Sequence, residues 1–201
     1  MIDQNLINQS IVHASQALQN LAPTDIPNLY KVDNFLSDTL LSKLLDYVNS
    51  PTTNWQIATS FIQNSTYNQN KLRYQINWDP DTVVEEVHSV FEAQTALINN
   101  VYPQHSLKFT GINLWKDSAG YKIRTHTDNP AIAVALQIYL TQSQDVDMGT
   151  EFFNQDISVT IPGIVNGGYL AYNTQPIPHK TTNPVPADIT RYSLYAIWAK
   201  A

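Results

Sequence analysis

The sequence predicts one α+β domain. Helices from the N-terminal half pack against a sandwich- or barrel-like core of antiparallel strands from the C-terminal half. Three observations predict it. Apolar residues recur at helical spacing in the first hundred or so positions. After Tyr102, short apolar or alternating runs follow closely on one another, separated by turn residues. The chain has 201 residues, 43% of them hydrophobic, which suits a single domain that buries a core.

The elements follow in order. From Asn5 to Leu21, the residues Leu6, Ile11, Ala14, Leu18 and Leu21 form one apolar stripe, so the spacing predicts an amphipathic helix. "LAPTDIPN" breaks it, because proline fixes φ and removes a backbone donor. "LYKVDNF" is a short strand candidate. Ser37 can cap a second helix whose stripe is Leu40, Leu41, Leu44, Leu45 and Val48, and Pro51 ends it. Residues 54–78 are polar and aromatic without a clean period, which predicts strands and long loops. "DPDTVVEEVHSVFEAQTALINN" predicts a third helix with Asp81 as its cap and Glu85 and Glu86 in its early turns. The later runs "LKFTGINLWK", "AIAVALQIYL", "TEFF", "ISVTI", "GGYLAYN" and "RYSLYAIWA" predict strands.

Charge and composition narrow the function. The net charge is −6 and the lysines and arginines are scattered, so neither nucleic acid nor an anionic membrane is an expected partner. No cysteine is present, which removes disulfides, thiolate metal sites and cysteine nucleophiles. The N-terminal stretch "MIDQNLINQSIVHASQ" lacks a basic region and a continuous apolar run, and no window has the apolar length of a membrane helix. The expectation is a soluble cytoplasmic protein.

The chemistry is concentrated in the β half. In "IRTHTDNP", His126 and Asp128 stand two positions apart, so at a strand end both project to one side. The only later histidine is His179, in "TQPIPHKTT". Two imidazoles and one carboxylate on one face of a metal make the facial triad of non-haem Fe(II) oxygenases. Arg191 stands in "TRYSLYAIW", a run that otherwise has the character of a buried strand. A guanidinium there needs an anionic partner. Arg191 and Ser193 share a strand face and could hold a dicarboxylate by charge-assisted hydrogen bonds worth about 1.5–3 kcal/mol each. A structural ion pair of Arg191 with an Asp or Glu is the alternative. His13, His88 and His105 are isolated and receive no role.

The combination of "HTD", "QIYL", "MGTEFF", "PHKTT" and "TRYSLYAIW" resembles the 2-oxoglutarate- and Fe(II)-dependent dioxygenases. Within them it is most similar to the prolyl 4-hydroxylase branch, both the collagen-type and the hypoxia-inducible-factor-type enzymes. The resemblance covers Leu107 to the C-terminus, and "LYKVDNFLSDTLLSKLLDYV" is similar to the opening of that branch. It implies a double-stranded β-helix, a jelly-roll or cupin-like barrel supported by N-terminal helices. Residues 1–28 would be a helical extension and 29–201 the dioxygenase domain. His126, Asp128 and His179 would bind Fe(II), and Arg191 and Ser193 would hold 2-oxoglutarate. That makes His126, Asp128, His179 and Arg191 the catalytic set. O2 would be the second co-substrate, ascorbate a candidate auxiliary, and succinate and CO2 the by-products of hydroxylating an unactivated C–H.

Two departures from the branch bear on the co-substrate. Ile138 stands where a tyrosine often helps to hold it; Tyr139, one place on, is the candidate substitute but is expected on the opposite strand face. Gly120 is in place before the first histidine, yet Trp115 stands where a tyrosine is more usual.

Substrate contacts are expected from Trp55 to Trp78 and from Asp145 to Gly149. Trp55, Tyr67, Arg73, Tyr74 and Trp115 could form an aromatic groove for an extended peptide, on which proline rings stack well. Glu151 is a further candidate near the substrate mouth. Peptidyl proline leads, with another peptide side chain or a small molecule as alternatives. A zinc hydrolase built on the same three ligands would need a general base and leaves Arg191 without a task. A catalytically silent jelly-roll module gives no reason for the four-residue constellation.

Overall fold

The computed structural model describes residues 2–58, 72–103, 105–173 and 176–201. Helix α1, Gln4–Gln19, starts at Asp3, whose side chain accepts from the N–H groups of Asn5 and Leu6. Two short strands follow, β1 (Ala22–Pro23) and β2 (Leu29–Val32). Helix α2, Asp38–Asn49, is capped by Ser37, which accepts from Leu40 N–H. Strands β3 (Gln56–Ile57) and β4 (Arg73–Ile76) lead to α3 (Val83–Ala93) and α4 (Thr95–Val101). The β half then runs β5 (Leu107–Asp117), β6 (Val134–Tyr139), β7 (Thr150–Asn154), β8 (Ile157–Ile161), β9 (Gly168–Tyr172), β10 (His179–Thr181) and β11 (Arg191–Lys200).

The third helix differs from expectation in two ways. Its cap is Thr82, whose hydroxyl accepts from Val84 N–H, because Asp81 lies at φ 60° and turns out of line. Glu85 reaches back instead to take the Asp81 N–H at 2.9 Å. The helix is also interrupted at Gln94. This fully buried amide donates to the carbonyls of Val90 and Ile11 and accepts from Ser15, so it ties the break to α1.

The strands form two antiparallel sheets. The larger has the order β1-β2-β9-β6-β11-β5-β4-β3 and the smaller β10-β7-β8. Burial follows the pleat. On β6, Val134, Leu136 and Ile138 join Leu6, Leu18, Leu40, Leu44, Val87 and Phe91 in one apolar cluster under the helices. The odd-numbered residues of β6, Ala135, Gln137 and Tyr139, therefore face the other way, toward the smaller sheet. Gly168 permits the β6–β9 pairing at close range. A Cβ there would meet the Gln137 carbonyl oxygen at 1.8 Å. Among the described residues no helix is long and apolar enough to cross a membrane.

Candidate active site

A cavity of about 530 Å³ lies between the two sheets. Arg73, Trp115, Gln137, Tyr169, Arg191 and Tyr195 line it from the larger sheet, and Thr150 and His179 from the smaller. Its size suits a small ligand.

His126 and His179 meet through the backbone. His126 N–H donates to His179 O at 3.0 Å and His179 N–H to His126 O at 2.8 Å. This two-way bridge sets the imidazoles side by side, with ring centroids 4.3 Å apart. Each ring's Nδ1 lies against a carbonyl, Arg124 O at 3.0 Å for His126 and Ile177 O at 2.9 Å for His179. A carbonyl only accepts, so Nδ1 carries the hydrogen, and in the neutral ring Nε2 presents its lone pair. Both Nε2 atoms face Asp128 Oδ1, at 3.9 and 3.7 Å. The other carboxylate oxygen, Oδ2, accepts from the Tyr195 hydroxyl at 2.9 Å.

One ligand atom from each of His126, Asp128 and His179 thus lies within 4.8 Å of the other two. Ligands about 2.1 Å from a divalent ion stand about 3.0–3.4 Å apart, so the two carboxylate–imidazole pairs need to close by less than about 1 Å. Burial lowers the His126 pKa, and the neighbouring His179 lowers it further, which favours the neutral, metal-binding ring. Burial, together with the Asp128 carboxylate, holds Tyr195 protonated and able to donate. Tyr195 carries no signal in the sequence beyond lying on the same strand face as Arg191 and Ser193.

Arg191 is placed by β11 and pairs with a carboxylate. Its Nε and Nη2 donate to Asp117 Oδ2 at 3.0 and 2.7 Å, and Nη1 donates to Met148 O at 3.0 Å. Two of its five N–H donors have no acceptor among the described residues. Asp117 is fully buried and also takes two hydrogen bonds from Arg73, at 2.6 and 2.8 Å. The register explains the triad, because Arg73 on β4 and Arg191 on β11 both stand opposite Asp117 on the intervening β5. Burial alone would raise the Asp117 carboxyl, but the two guanidiniums pull it below the ordinary carboxylate range. The Arg73 guanidinium also stacks between Trp115 and Tyr121, 4.6 and 4.4 Å from the ring centroids.

Ser193 lies on the same face of β11, fully buried, and its hydroxyl has no hydrogen-bond partner among the described residues. Tyr139 is cross-strand from Ser193 and shares its sheet face, contrary to the expectation that it points away, and neither of the two lines the cavity. Its hydroxyl lies 2.7 Å from Thr150 Oγ1, a cavity-lining group.

Other expected contacts lie elsewhere. Of the five residues named for an aromatic groove, Arg73 and Trp115 line the cavity, and Tyr67 is outside the described residues. Tyr74 alternates to the opposite face of β4 from Arg73, where Lys116 lies 5.9 Å from its ring. Trp55 packs there against Tyr192, at 5.7 Å. Glu151 is not at the cavity. It pairs with Lys180 at 3.0 Å and accepts from Ser158 at 2.8 Å. The segment Asp145–Gly149 backs Arg191 through Met148 O, and none of its residues lines the cavity.

No family model matches the sequence, and no curated protein matches it. Solved structures do match the fold. A prolyl 4-hydroxylase of Pseudomonas putida superposes with TM-score 0.68 at 16% identity, over 94% of this chain and 99% of that one. A prolyl hydroxylase from Trichoplax adhaerens, solved with a hypoxia-inducible-factor peptide, gives 0.63 at 15% identity, over 100% of this chain and 94% of that one. A viral collagen prolyl hydroxylase from Paramecium Bursaria Chlorella virus-1, in a 2-oxoglutarate complex, gives 0.58 at 13% identity, over 90% and 99%. The likeness first carried by the short motifs of the β half therefore extends along nearly the whole chain, which has the fold of the prolyl hydroxylases within the 2-oxoglutarate/Fe(II) oxygenases.

Proposed function

We propose that this chain is an Fe(II)- and 2-oxoglutarate-dependent oxygenase that hydroxylates an unactivated C–H, with a prolyl residue of a peptide or protein as its substrate. The observation that carries the reading is the convergence of His126, Asp128 and His179 at an open cavity that Arg191 also lines. In this reading the two sheets are the halves of a double-stranded β-helix. Residues 29–201 form the oxygenase domain, with the N-terminal helix as its buttress.

The donor set fits the metal. Two neutral imidazoles and one carboxylate on one side suit Fe(II) and leave coordination positions for ligands. Oxygen and nitrogen donors do not select iron by affinity, so nickel, copper or zinc compete for the same site. The pocket also fits the co-substrate. Arg191 lines it and keeps spare N–H donors for a distal carboxylate, and Ser193, behind the lining on the same strand face, has a buried hydroxyl without a partner among the described residues. When bound, the iron and 2-oxoglutarate would supply the oxidising chemistry with O2 as the oxidant, one oxygen atom going to the substrate and one to succinate as CO2 is released.

The protein's own residues position and shield. The His126–His179 bridge fixes both rings, the carbonyls of Arg124 and Ile177 fix their tautomer, and Tyr195 fixes Asp128 Oδ2 so that Oδ1 points inward. The Tyr139 hydroxyl braces that of Thr150, which lines the cavity. No side chain has to act as general base. A peptide substrate is supported by the Trichoplax adhaerens relative, which was solved with one.

The test is turnover. Fe(II)-loaded protein with 2-oxoglutarate and O2 is offered proline-rich peptides, and succinate and peptide mass are followed. A gain of one oxygen on proline, abolished in His179→Ala, supports the reading. Succinate release with no change at proline in any peptide keeps the oxygenase and removes prolyl specificity. No 2-oxoglutarate consumption under any condition removes both.

A further inference from the structure

The Arg73–Asp117–Arg191 triad carries more charge than a structural ion pair requires. Asp117 alone would satisfy Arg191, yet a second arginine is threaded into register opposite the same carboxylate. All three groups are buried, and both guanidiniums line the cavity. Two guanidiniums and one carboxylate leave one positive charge. Asp117 is the carboxylate that pairs with both arginines, residues 59–71 add no Asp or Glu, and the other carboxylate lining the cavity, Asp128, stands with the two histidines. A buried excess charge is costly unless an anion completes it.

We propose that Arg73 is a positioning residue for the anionic co-substrate, acting through Asp117: it holds that carboxylate so that the Arg191 side of the cavity keeps a net positive charge and selects a dicarboxylic oxo acid over a monocarboxylic one. The inference rests on the proposed oxygenase reading and goes beyond it in assigning Arg73 and Asp117. Without Arg73, Asp117 would neutralise Arg191 and repel the incoming distal carboxylate. The geometry gives Arg73 the means, since its Nε and Nη2 make two parallel bonds to Asp117 and its plane is clamped between Trp115 and Tyr121. It is therefore held in place whatever occupies the cavity.

The test is a charge cycle read by binding. Zn(II)-loaded protein is titrated calorimetrically with 2-oxoglutarate and with 2-oxopentanoate, which has the same oxo-acid end and no distal carboxylate. Wild type is expected to prefer the dicarboxylate. Arg73→Met should shrink that preference by about tenfold or more, through 2-oxoglutarate alone, since one unit charge is lost inside a low-dielectric pocket. Adding Asp117→Asn to Arg73→Met removes the compensating negative charge and should restore the preference, whereas a merely structural role would make the double variant worse. Arg73→Lys keeps the charge but not the two parallel bonds, so it should retain more of the preference than Arg73→Met. An unchanged preference in Arg73→Met, or no recovery in the double variant, overturns the proposal while leaving the oxygenase reading intact. Wild type that binds neither oxo acid overturns the oxygenase reading, and the inference with it.

Discussion

Asp117→Ala is the perturbation that most sharply tests how the buried polar centre holds the fold. The carboxylate receives four hydrogen bonds, two from Arg73 and two from Arg191, at 2.6–3.0 Å. Removing one partner of a buried ion pair costs about 3–5 kcal/mol, because it strands the other charge. Here two guanidiniums are stranded and repel each other, which puts the loss at the upper end, about 5 kcal/mol. Set against the usual domain stability of about 5–15 kcal/mol, that is a third or more of the total. With a urea slope of about 2 kcal/mol/M, the midpoint should fall by about 2.5 M. Replacing all three residues by apolar ones of similar volume should recover most of the loss, since the charges then no longer need each other. A midpoint shift below about 0.5 M in Asp117→Ala would refute the reasoning. It would mean that water reaches the triad.

Further outcomes follow from the same structure. The Asp117 carboxyl is held below its unfolded value of about 3.9, so its contribution to stability is complete above that pH and is lost as pH falls through the lowered folded value. Wild-type stability should therefore drop steeply below about pH 4, and the Arg73→Met/Asp117→Asn variant should show a shallower acid limb in urea titrations at each pH. Tyr195→Phe deletes the hydrogen bond that orients Asp128 and should weaken divalent-metal binding by about 10–100-fold in competition titrations, with little change in melting temperature. Gly168→Ala drives a Cβ toward the Gln137 carbonyl oxygen and should cost about 3 kcal/mol, seen as a melting temperature lower by several degrees. An unchanged melting temperature would mean that β6 and β9 are not paired in this register.

Much of the fold was legible because it depends on local pattern. The stripes of α1 and α2, the Ser37 cap and the strands of the β half are all set within a few residues of sequence. The convergence of His126, Asp128 and His179 was legible for a different reason. His126 and Asp128 are neighbours in sequence, and few histidines compete with His179 for the third place. What escaped depends on strand register between distant segments. That Arg73 and Arg191 share Asp117 follows from β4 and β11 flanking β5, which no local pattern encodes. The same holds for Tyr195, whose partner Asp128 lies 67 positions away. Strand faces were misjudged where the count of residues decides them. Ile138 and Tyr139 are adjacent, and that single step divides the helix-packed face from the face toward the smaller sheet. Asp81 failed as a cap because capping depends on φ and ψ, and Thr82 next to it was the residue in extended conformation.

The most direct test of the account is anaerobic. Metal-free protein receives Fe(II) and then 2-oxoglutarate while the visible spectrum is recorded, with His179→Ala and Arg191→Ala alongside. The account predicts a weak charge-transfer band that needs both additions, is absent in His179→Ala and requires more 2-oxoglutarate to appear in Arg191→Ala. No band in the wild-type protein, with 2-oxoglutarate failing to bind, would contradict it.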